Sequence, residues 1–437
     1  MNNRARRRLL TTAAVASISA LALAGCSAAD TGGSDAASGD EDMTLTITTF
    51  GTFGYEDLYT QYEELHPNIN IEATNIDTGG NARTDAFTKI AAGSGLSDIV
   101  AIEEGWLGAI MDVSDTFVDL RDYGIEDRKA DWVDWKYAQG TDPKGRVIGY
   151  GTDIGPSGIC YNGAAFETAG LPSDREGVAE LLDGDWDNYF KVGAEYKEKT
   201  GKAWYDHSGF VWNSMVNQLD EGYYTADGEL NVEGNAELKE RFEQLGAATE
   251  SGLSAAQTAW DWNGGKSFVD GTFATFVCPG WMLGVVQGQV EAGGGDAETG
   301  WDFANVFPGG ATNWGGAFLA VSEQSKHKEA AAELADWLTQ PEQQVEQSIA
   351  AGNFPSTLGA QEELAAAATP NVFFNDAPTG AILAERAQGV VAQFKGADDS
   401  TIQENVFGPA LSSLDRGDTD TKGAWEQALK LQEDLVG

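Results

Sequence analysis

The chain has 437 residues, 42% of them hydrophobic, and a formal net charge of −42 from 27 basic and 69 acidic side chains. That is enough apolar material for two or three domains or one large two-lobed unit, and enough spread negative charge to repel nucleic acid and anionic membrane surfaces. The three histidines, His66, His207 and His327, lie far apart without cysteine neighbours. No metal-ligand spacing, phosphate loop or Gly-x-Ser-x-Gly motif occurs, so no metal, cofactor or catalytic set is expected and the chain does not read as an enzyme.

The elements begin behind a leader. Arg4, Arg6, Arg7 and Arg8 form a basic start, and Leu9–Ala24 is apolar but too short and too rich in small residues for a membrane span. It ends in Leu23-Ala-Gly-Cys26, which resembles the lipobox of bacterial lipoproteins. Residues 1–25 then read as a signal peptide and Cys26 as the lipidated first residue of the mature chain. The adjacent arginines leave a twin-arginine export route open. Ser27–Asp42 contains no large apolar residue, so 26–42 is expected to be a flexible acidic tether. Cys160 and Cys278 remain, each in an apparent strand in an oxidising compartment. A disulfide and two buried thiols are both open readings.

Thr44–Thr49 alternates and predicts a strand with Leu45 and Ile47 on one face. A helix follows with Tyr55, Leu58, Tyr59, Tyr62 and Leu65 on its apolar side, stopped by His66-Pro67. Ile69–Ala73 is a second strand, Thr84–Ala92 a short helix and Ser97–Ile102 a third strand. This alternation predicts a parallel sheet covered by helices, with any ligand beyond the C-terminal strand ends. Phe50–Phe53 and Glu103–Trp106 would share that rim. Val147–Asn162 predicts a strand at Val147–Tyr150, a break over Gly151, Gly155, Pro156 and Gly158, and a strand again at Ile159–Tyr161. Such a stretch suits a crossover or hinge as well as an ordinary turn.

Further on, helices are expected from Asp185 to about Lys199 and around Leu238, Phe242 and Leu245. Strands are expected at Thr272–Cys278 and Ala317–Val321, and an amphipathic helix carries Trp425, Ala428, Leu429 and Leu435. Three zones rich in glycine or proline, 151–158, 308–316 and 352–356, would divide the chain into two discontinuous lobes with a cleft between them.

Four stretches now carry a resemblance. They are Glu63-Glu-Leu-His-Pro-Asn-Ile69, Phe87–Val100, the central stretch continuing as Tyr161–Pro172, and Phe268–Phe276 with Gly280-Trp281 and Lys328–Leu338 beyond. In order and spacing over 43–437 they resemble the family 1 extracellular solute-binding proteins, the sugar-binding lipoproteins of bacterial ABC importers that include maltose-binding protein. Tyr161-Asn162-Gly163 and Phe273-Ala274-Thr275 depart from the family's usual residues at structural positions. The length and the loop Gly309–Gly316 look most like actinobacterial binders of cello-oligosaccharides.

The resemblance implies an α/β, two-lobed periplasmic-binding-protein-like fold of type II, its lobes joined by three crossover segments. The corresponding limits are 43–152 and 309–353 for lobe 1, and 153–308 and 354–437 for lobe 2. It also implies an oligosaccharide ligand, ABC-transporter permease subunits as partners, a monomer, and a lipid anchor on the extracellular face of the cell membrane. A secreted glycoside hydrolase or a non-transport surface lipoprotein is the alternative.

A sugar ring presents a C–H face and a rim of hydroxyls, and so calls for aromatic platforms and planar polar side chains. Trp281 follows a strand end, Trp106 stands beside Glu103 and Glu104, and Trp314 lies between glycines of a presumed crossover. Of Trp260 and Trp262, one could face the cleft and the other the core. Asp153 sits in the first crossover, with Phe50, Thr52 and Phe53 on the first rim and Trp212 and Asn213 as further candidates. His207 is expected to be structural.

Overall fold

A computed structural model describes residues 42–391 and 393–437. Residues 1–41, which hold the leader, Cys26 and nearly all of the tether, lie outside the described residues. Strands run as β1 Met43–Phe50, β2 Ile69–Ile76, β3 Ile99–Glu103, β4 Tyr150–Gly151, β5 Asp153–Ile154, β6 Ser157–Asn162, β7 Ala203–Tyr205, β8 Phe273–Pro279, β9 Trp301–Ala304, β10 Ala317–Val321 and β11 Phe354–Pro355. They build one sheet of order β2-β1-β3-β10-β4, a second of order β7-β8-β6-β9, and a small ladder of β11 with β5.

The first sheet follows from its alternating strands. β1 pairs in parallel with β2 from Met43↔Ile69 to Phe50↔Ile76 and with β3 at Ile47↔Ile99, while β10 joins antiparallel to β3. Leu45 and Ile47 are fully buried with Leu58, Tyr62 and the helix Lys328–Leu338 on one face; Ile102, Trp106 and Phe318 fill the other. The second sheet has its own larger core, packed by Trp186, Trp204, Trp212, Phe242, Phe407 and Trp425 among others. Seven of the thirteen tryptophans, Trp106, Trp132, Trp186, Trp204, Trp212, Trp262 and Trp301, are fully buried, so most serve packing. No helix among the described residues is long and apolar enough to cross a membrane.

Two local expectations change. Leu65, placed on the apolar side of the first helix, is 63% exposed. Ten residues after Tyr55 at 100° per residue it has drifted some 80° off that face. The strand expected at Val147–Tyr150 is instead Tyr150–Gly151, with Val147 making a single bridge to Thr141. Gly151, expected as a break, pairs with Phe318 as Tyr150 does with Leu319, and Trp132 and Lys136 pack where its Cβ would be, within 3.1 and 2.9 Å.

The chain passes between the sheets where the three glycine- and proline-bearing zones lie, and these zones run together. β5 pairs with β11 at Phe354↔Ile154 and Pro355↔Asp153, and Pro156 bridges Asn313. The Gly155 N–H donates to Asn313 Oδ1 at 2.8 Å, and the Trp314 N–H donates back to the Gly155 carbonyl at 2.9 Å. A Cβ on Gly155 would fall inside the Trp314 carbonyl, and one on Gly316, whose φ is +105°, inside the Asp153 carbonyl. Both positions therefore require glycine.

Cys160 and Cys278 form a disulfide with Cα atoms 5.7 Å apart, tying β6 to β8 across 118 residues of chain. Replacing both cysteines by Ala should cost about 2–5 kcal/mol in a guanidinium unfolding curve, because closing so long a loop constrains the unfolded chain. Gly155→Ala should cost roughly 1–3 kcal/mol by thermal or chemical unfolding, because the added methyl must push two crossings apart. Gly288→Ala, in the helix Met282–Ala292 and facing open space, is its control and should stabilise by about 0.5–1 kcal/mol.

Candidate functional site

Parallel pairing brings Phe50 and Glu103 to the same sheet edge, and β10 enters beside them with Ala317 opposite Glu103. The crossing 313–316 therefore arrives on the rim that the strand pattern marks out. Glu104, 5% exposed, anchors there: its N–H donates to the Gly316 carbonyl at 2.9 Å, and its carboxylate accepts from Gln139 Nε2 at 3.0 Å and Asn313 Nδ2 at 3.3 Å. Asp153, also buried, accepts from Thr152 Oγ1 at 2.5 Å and from the Ala317 N–H at 2.9 Å.

Lys136 completes this nest. Its residue is fully buried, its Nζ lies 3.8 Å from the centre of the Phe318 ring, and it has no hydrogen-bond partner among the described residues. Burial pulls its pKa down to about 8 against the opposing pull of Asp153, Glu104 and Glu103. Burial likewise pushes the Glu103 carboxyl up to about 8, with Glu104 and Glu404 adding to the rise, and raises Asp153.

A wall of aromatic side chains stands next to the crossings on the side of the second sheet. Trp260, 56% exposed, lies nearly parallel to Trp281, with centroids 6.2 Å apart and planes at 23°. Trp281 meets Trp314 edge-on at 5.4 Å, and its Nε1–H donates to the Trp314 carbonyl at 2.8 Å. Phe210 supports the group from beneath, 5.0 Å from Trp314 and 5.4 Å from Trp260. His207 packs 4.3 Å from Phe210 and caps the helix Ser208–Val216, its Nδ1 accepting from the Gly209 N–H at 3.0 Å. Burial pulls this histidine down to about 4, so it is neutral and structural near pH 7.

The turn that holds Trp260 out has an unusual backbone. Trp260, Trp262 and Asn263 have φ of +67°, +40° and +59°, and Gly264 and Gly265 follow with positive φ. Left-handed tryptophans are costly and persist only where packing fixes them. Here Trp262 turns inward, fully buried, and donates from Nε1 to Asp206 Oδ2 at 2.9 Å, while Trp260 turns outward.

Several other residues expected in the site are held by packing or local hydrogen bonds. Trp106 is buried against Phe87 beneath the first sheet. Trp212 is core, 4.9 Å from Phe407 and 5.3 Å from Phe242, with Nε1 donating to the Tyr223 hydroxyl at 3.0 Å. Phe53 is buried against Tyr55, and its carbonyl accepts from Gln347 and Asn353. Thr52 is exposed beside it, and Phe50 packs edge-on to Phe53 at 5.4 Å. The Asn213 Oδ1 accepts from Asn217 Nδ2 at 3.3 Å.

Sequence reasoning missed the short helix Asp134–Gln139 and the segment around residue 395. Glu104, Trp135, Gln139, Asn217, Asn313 and Lys395 line one small pocket with Val391 and Gln393. Trp135 and Gln139 are four apart and share a helix face, yet a six-residue helix is too short for its period to stand out. Trp135 packs against the core of the second sheet although Trp132, one turn earlier, belongs to the first. Segment 395–401 also reaches the first sheet's helices: Arg83 donates to Thr401 Oγ1 at 3.1 Å, and a Cβ on Gly108 would strike the Gly396 carbonyl. Segment 395–401 is thus in contact with the first sheet's helices.

This arrangement has solved counterparts. A crystal structure titled extracellular solute-binding protein family 1 is 43% identical, superposes with a TM-score of 0.82, and matches over 90% of this chain and 100% of that one. An ABC-transporter-associated binding protein of B. animalis subsp. lactis Bl-04, solved with β-1,6-galactobiose, gives a TM-score of 0.73 at 20% identity over 90% and 96% of the two chains, which places the fold alone. The lactose-binding protein of Rhizobium radiobacter is 27% identical over 62% of this chain, and the match spans 63% of that relative's length. These superpositions are those of a type II periplasmic-binding-protein fold. Residues 57–405 match the family model for bacterial extracellular solute-binding proteins, and the chain belongs to that family.

Proposed function

We propose that the chain is the lipid-anchored, substrate-binding subunit of a carbohydrate ABC importer, and that it captures an oligosaccharide between its lobes. The observation that supports this reading most is the aromatic wall. Trp260, 56% exposed, stands beside the crossings with the partly buried Trp281 and Trp314 behind it, and buried carboxylates that accept hydrogen bonds lie at the adjoining rim. An indole face suits the C–H side of a sugar ring, and carboxylates suit its hydroxyls. The lobe limits are 43–152 with 309–353 and 153–308 with 354–437. Thr152–Ser157 form the bend, and the anchor is Cys26 on the extracellular face of the cell membrane.

In this mechanism open and closed arrangements interconvert, the sugar favours the closed one, and the closed one docks on permease subunits as a monomer. Asp153 belongs to both hinge and rim, because its carboxylate holds the Ala317 N–H where the second crossing rejoins the first sheet. The ligand is a β-linked oligosaccharide. The loop Gly309–Gly316 resembles that of cello-oligosaccharide binders. The relatives named for lactose and solved with β-1,6-galactobiose bind sugars of the same general class.

A thermal-shift panel of cellobiose, cellotriose, lactose, β-1,6-galactobiose and maltose should raise the melting temperature with a β-linked sugar, by the equivalent of about 2.7 kcal/mol at 100 times the dissociation constant. No monosaccharide should appear over hours of incubation. No shift with any of them, or release of product, contradicts the reading. Trp260→Ala and Trp281→Ala should each weaken binding of the responding sugar by roughly 1–3 kcal/mol in calorimetry. Trp260 is the cleaner test because its ring is 56% exposed, whereas Trp281 is partly buried and bonded to the Trp314 carbonyl.

A further inference from the structure

The turn that carries Trp260 is strained, and it is tied to the protein through one buried carboxylate. Six of the ten residues from Ala256 to Gly265 have positive φ, and four of those six are not glycine. Such a backbone persists only where its surroundings fix it. Trp260 supplies little of that fixing, being mostly exposed, whereas Trp262 is fully buried with its ring 5.5 Å from Phe268, 5.8 Å from Phe276 and 6.0 Å from Phe210. Asp206, the buried residue after β7, grips the turn at two points. Its carbonyl accepts from the Gln257 N–H at 3.0 Å, where the turn begins, and its Oδ2 accepts from Trp262 Nε1 at 2.9 Å, where the turn folds inward.

The bond to Trp262 is directional where the rest of its cage is not. Ring contacts hold an indole by area, but an indole has a single N–H, and this one ends on Asp206. His207 brings Nε2 within 3.5 Å of the same carboxylate oxygen and caps the helix whose Phe210 backs both Trp260 and Trp314. One strand end therefore meets both the turn and the ring behind it. Burial pushes the Asp206 carboxyl up to about 7, and either protonation state keeps an acceptor oxygen for the indole.

We propose that Asp206 is the positioning residue of the aromatic wall: by fixing the direction of the Trp262 indole it holds the turn 256–265 in the conformation that presents Trp260 beside Trp281. The role rests on the proposed sugar-binding reading, since the presentation of a ring face matters to affinity only where a ligand meets it. Burying a carboxylate costs stability, and what this one supplies is orientation. Asp206 is fully buried and touches no sugar. Its loss acts through Trp260, so the two side chains contribute to affinity as one unit.

The test uses the full chain titrated by calorimetry with cellobiose, cellotriose, lactose, β-1,6-galactobiose and maltose. Asp206→Leu, which removes the acceptor, should weaken the tightest-binding of these about tenfold, and Asp206→Asn, which keeps an acceptor oxygen, should stay within about threefold of wild type. Asp206→Leu combined with Trp260→Ala should bind no more weakly than Trp260→Ala alone. Near-ultraviolet circular dichroism gives a sugar-free readout, because only a ring held in a fixed surrounding contributes strongly. The difference that Trp260→Ala makes to the wild-type spectrum should fall by about half or more in the Asp206→Leu background and persist in the Asp206→Asn background. Trp262→Phe removes the donor of the same bond, should reproduce both effects, and serves as the second variant should Asp206→Leu fold poorly. Wild-type affinity in Asp206→Leu, losses that multiply in the double variant, or an unchanged spectral difference overturns the inference while leaving the sugar-binding reading intact. Absence of binding of all five sugars by wild type overturns both.

Discussion

The structure depends on a steric constraint where three strands of chain pass between two sheets. At Gly155 the carbonyl of Trp314 occupies the space of a side chain, and at Gly316 the carbonyl of Asp153 does the same. The crossings are held backbone against backbone by reciprocal bonds between 155 and 313–314 and by the β5–β11 pairing. That closeness fixes where the rim of the first sheet meets the wall of the second. Trp314 and Asn313 belong to a crossing, so the aromatic wall and the polar pocket each take a residue from it.

Charge is arranged around the same point. A chain with a net charge of −42 can hold carboxylates in its interior only where they are bonded. Asp153 and Glu104 are bonded, to the Ala317 N–H and to the Gln139 and Asn313 amides. Lys136 stands among them, fully buried over Phe318. Burial shifts Lys136 down and Asp153 and Glu103 up, the directions expected when both signs of charge lose water. The nest joins the helix Asp134–Gln139 to two crossings and to the pocket beside them.

Much of this was legible in the sequence. The strand Ala317–Val321 has the bounds its pattern predicts, and His66-Pro67 ends the first helix as expected. The rim shared by Phe50 and Glu103 follows from the β-α-β-α-β order, and the three punctuation zones are the zones that meet. What could not be read was the direction of individual aromatics. Trp260 and Trp262 are expected to divide between cleft and core, but the pattern does not say which goes where; a left-handed turn sends Trp260 to solvent and Trp262 to the core. Trp106 and Trp212 sit next to polar residues in sequence but are claimed by packing from distant segments, Phe87 for one and Phe407 for the other. The pocket escaped notice because Gln139, Asn217 and Lys395 come from three elements with no shared motif.

The central claim is that a sugar lies against the exposed wall beside the hinge. Acrylamide quenching of tryptophan fluorescence tests it directly, because the largely exposed Trp260 is the wall residue most accessible to quencher. Adding the sugar that raises the melting temperature should reduce the quenching constant of wild type and leave that of Trp260→Ala much less changed. An unchanged constant in wild type, under conditions where the same sugar demonstrably binds, would place the ligand elsewhere and contradict the account.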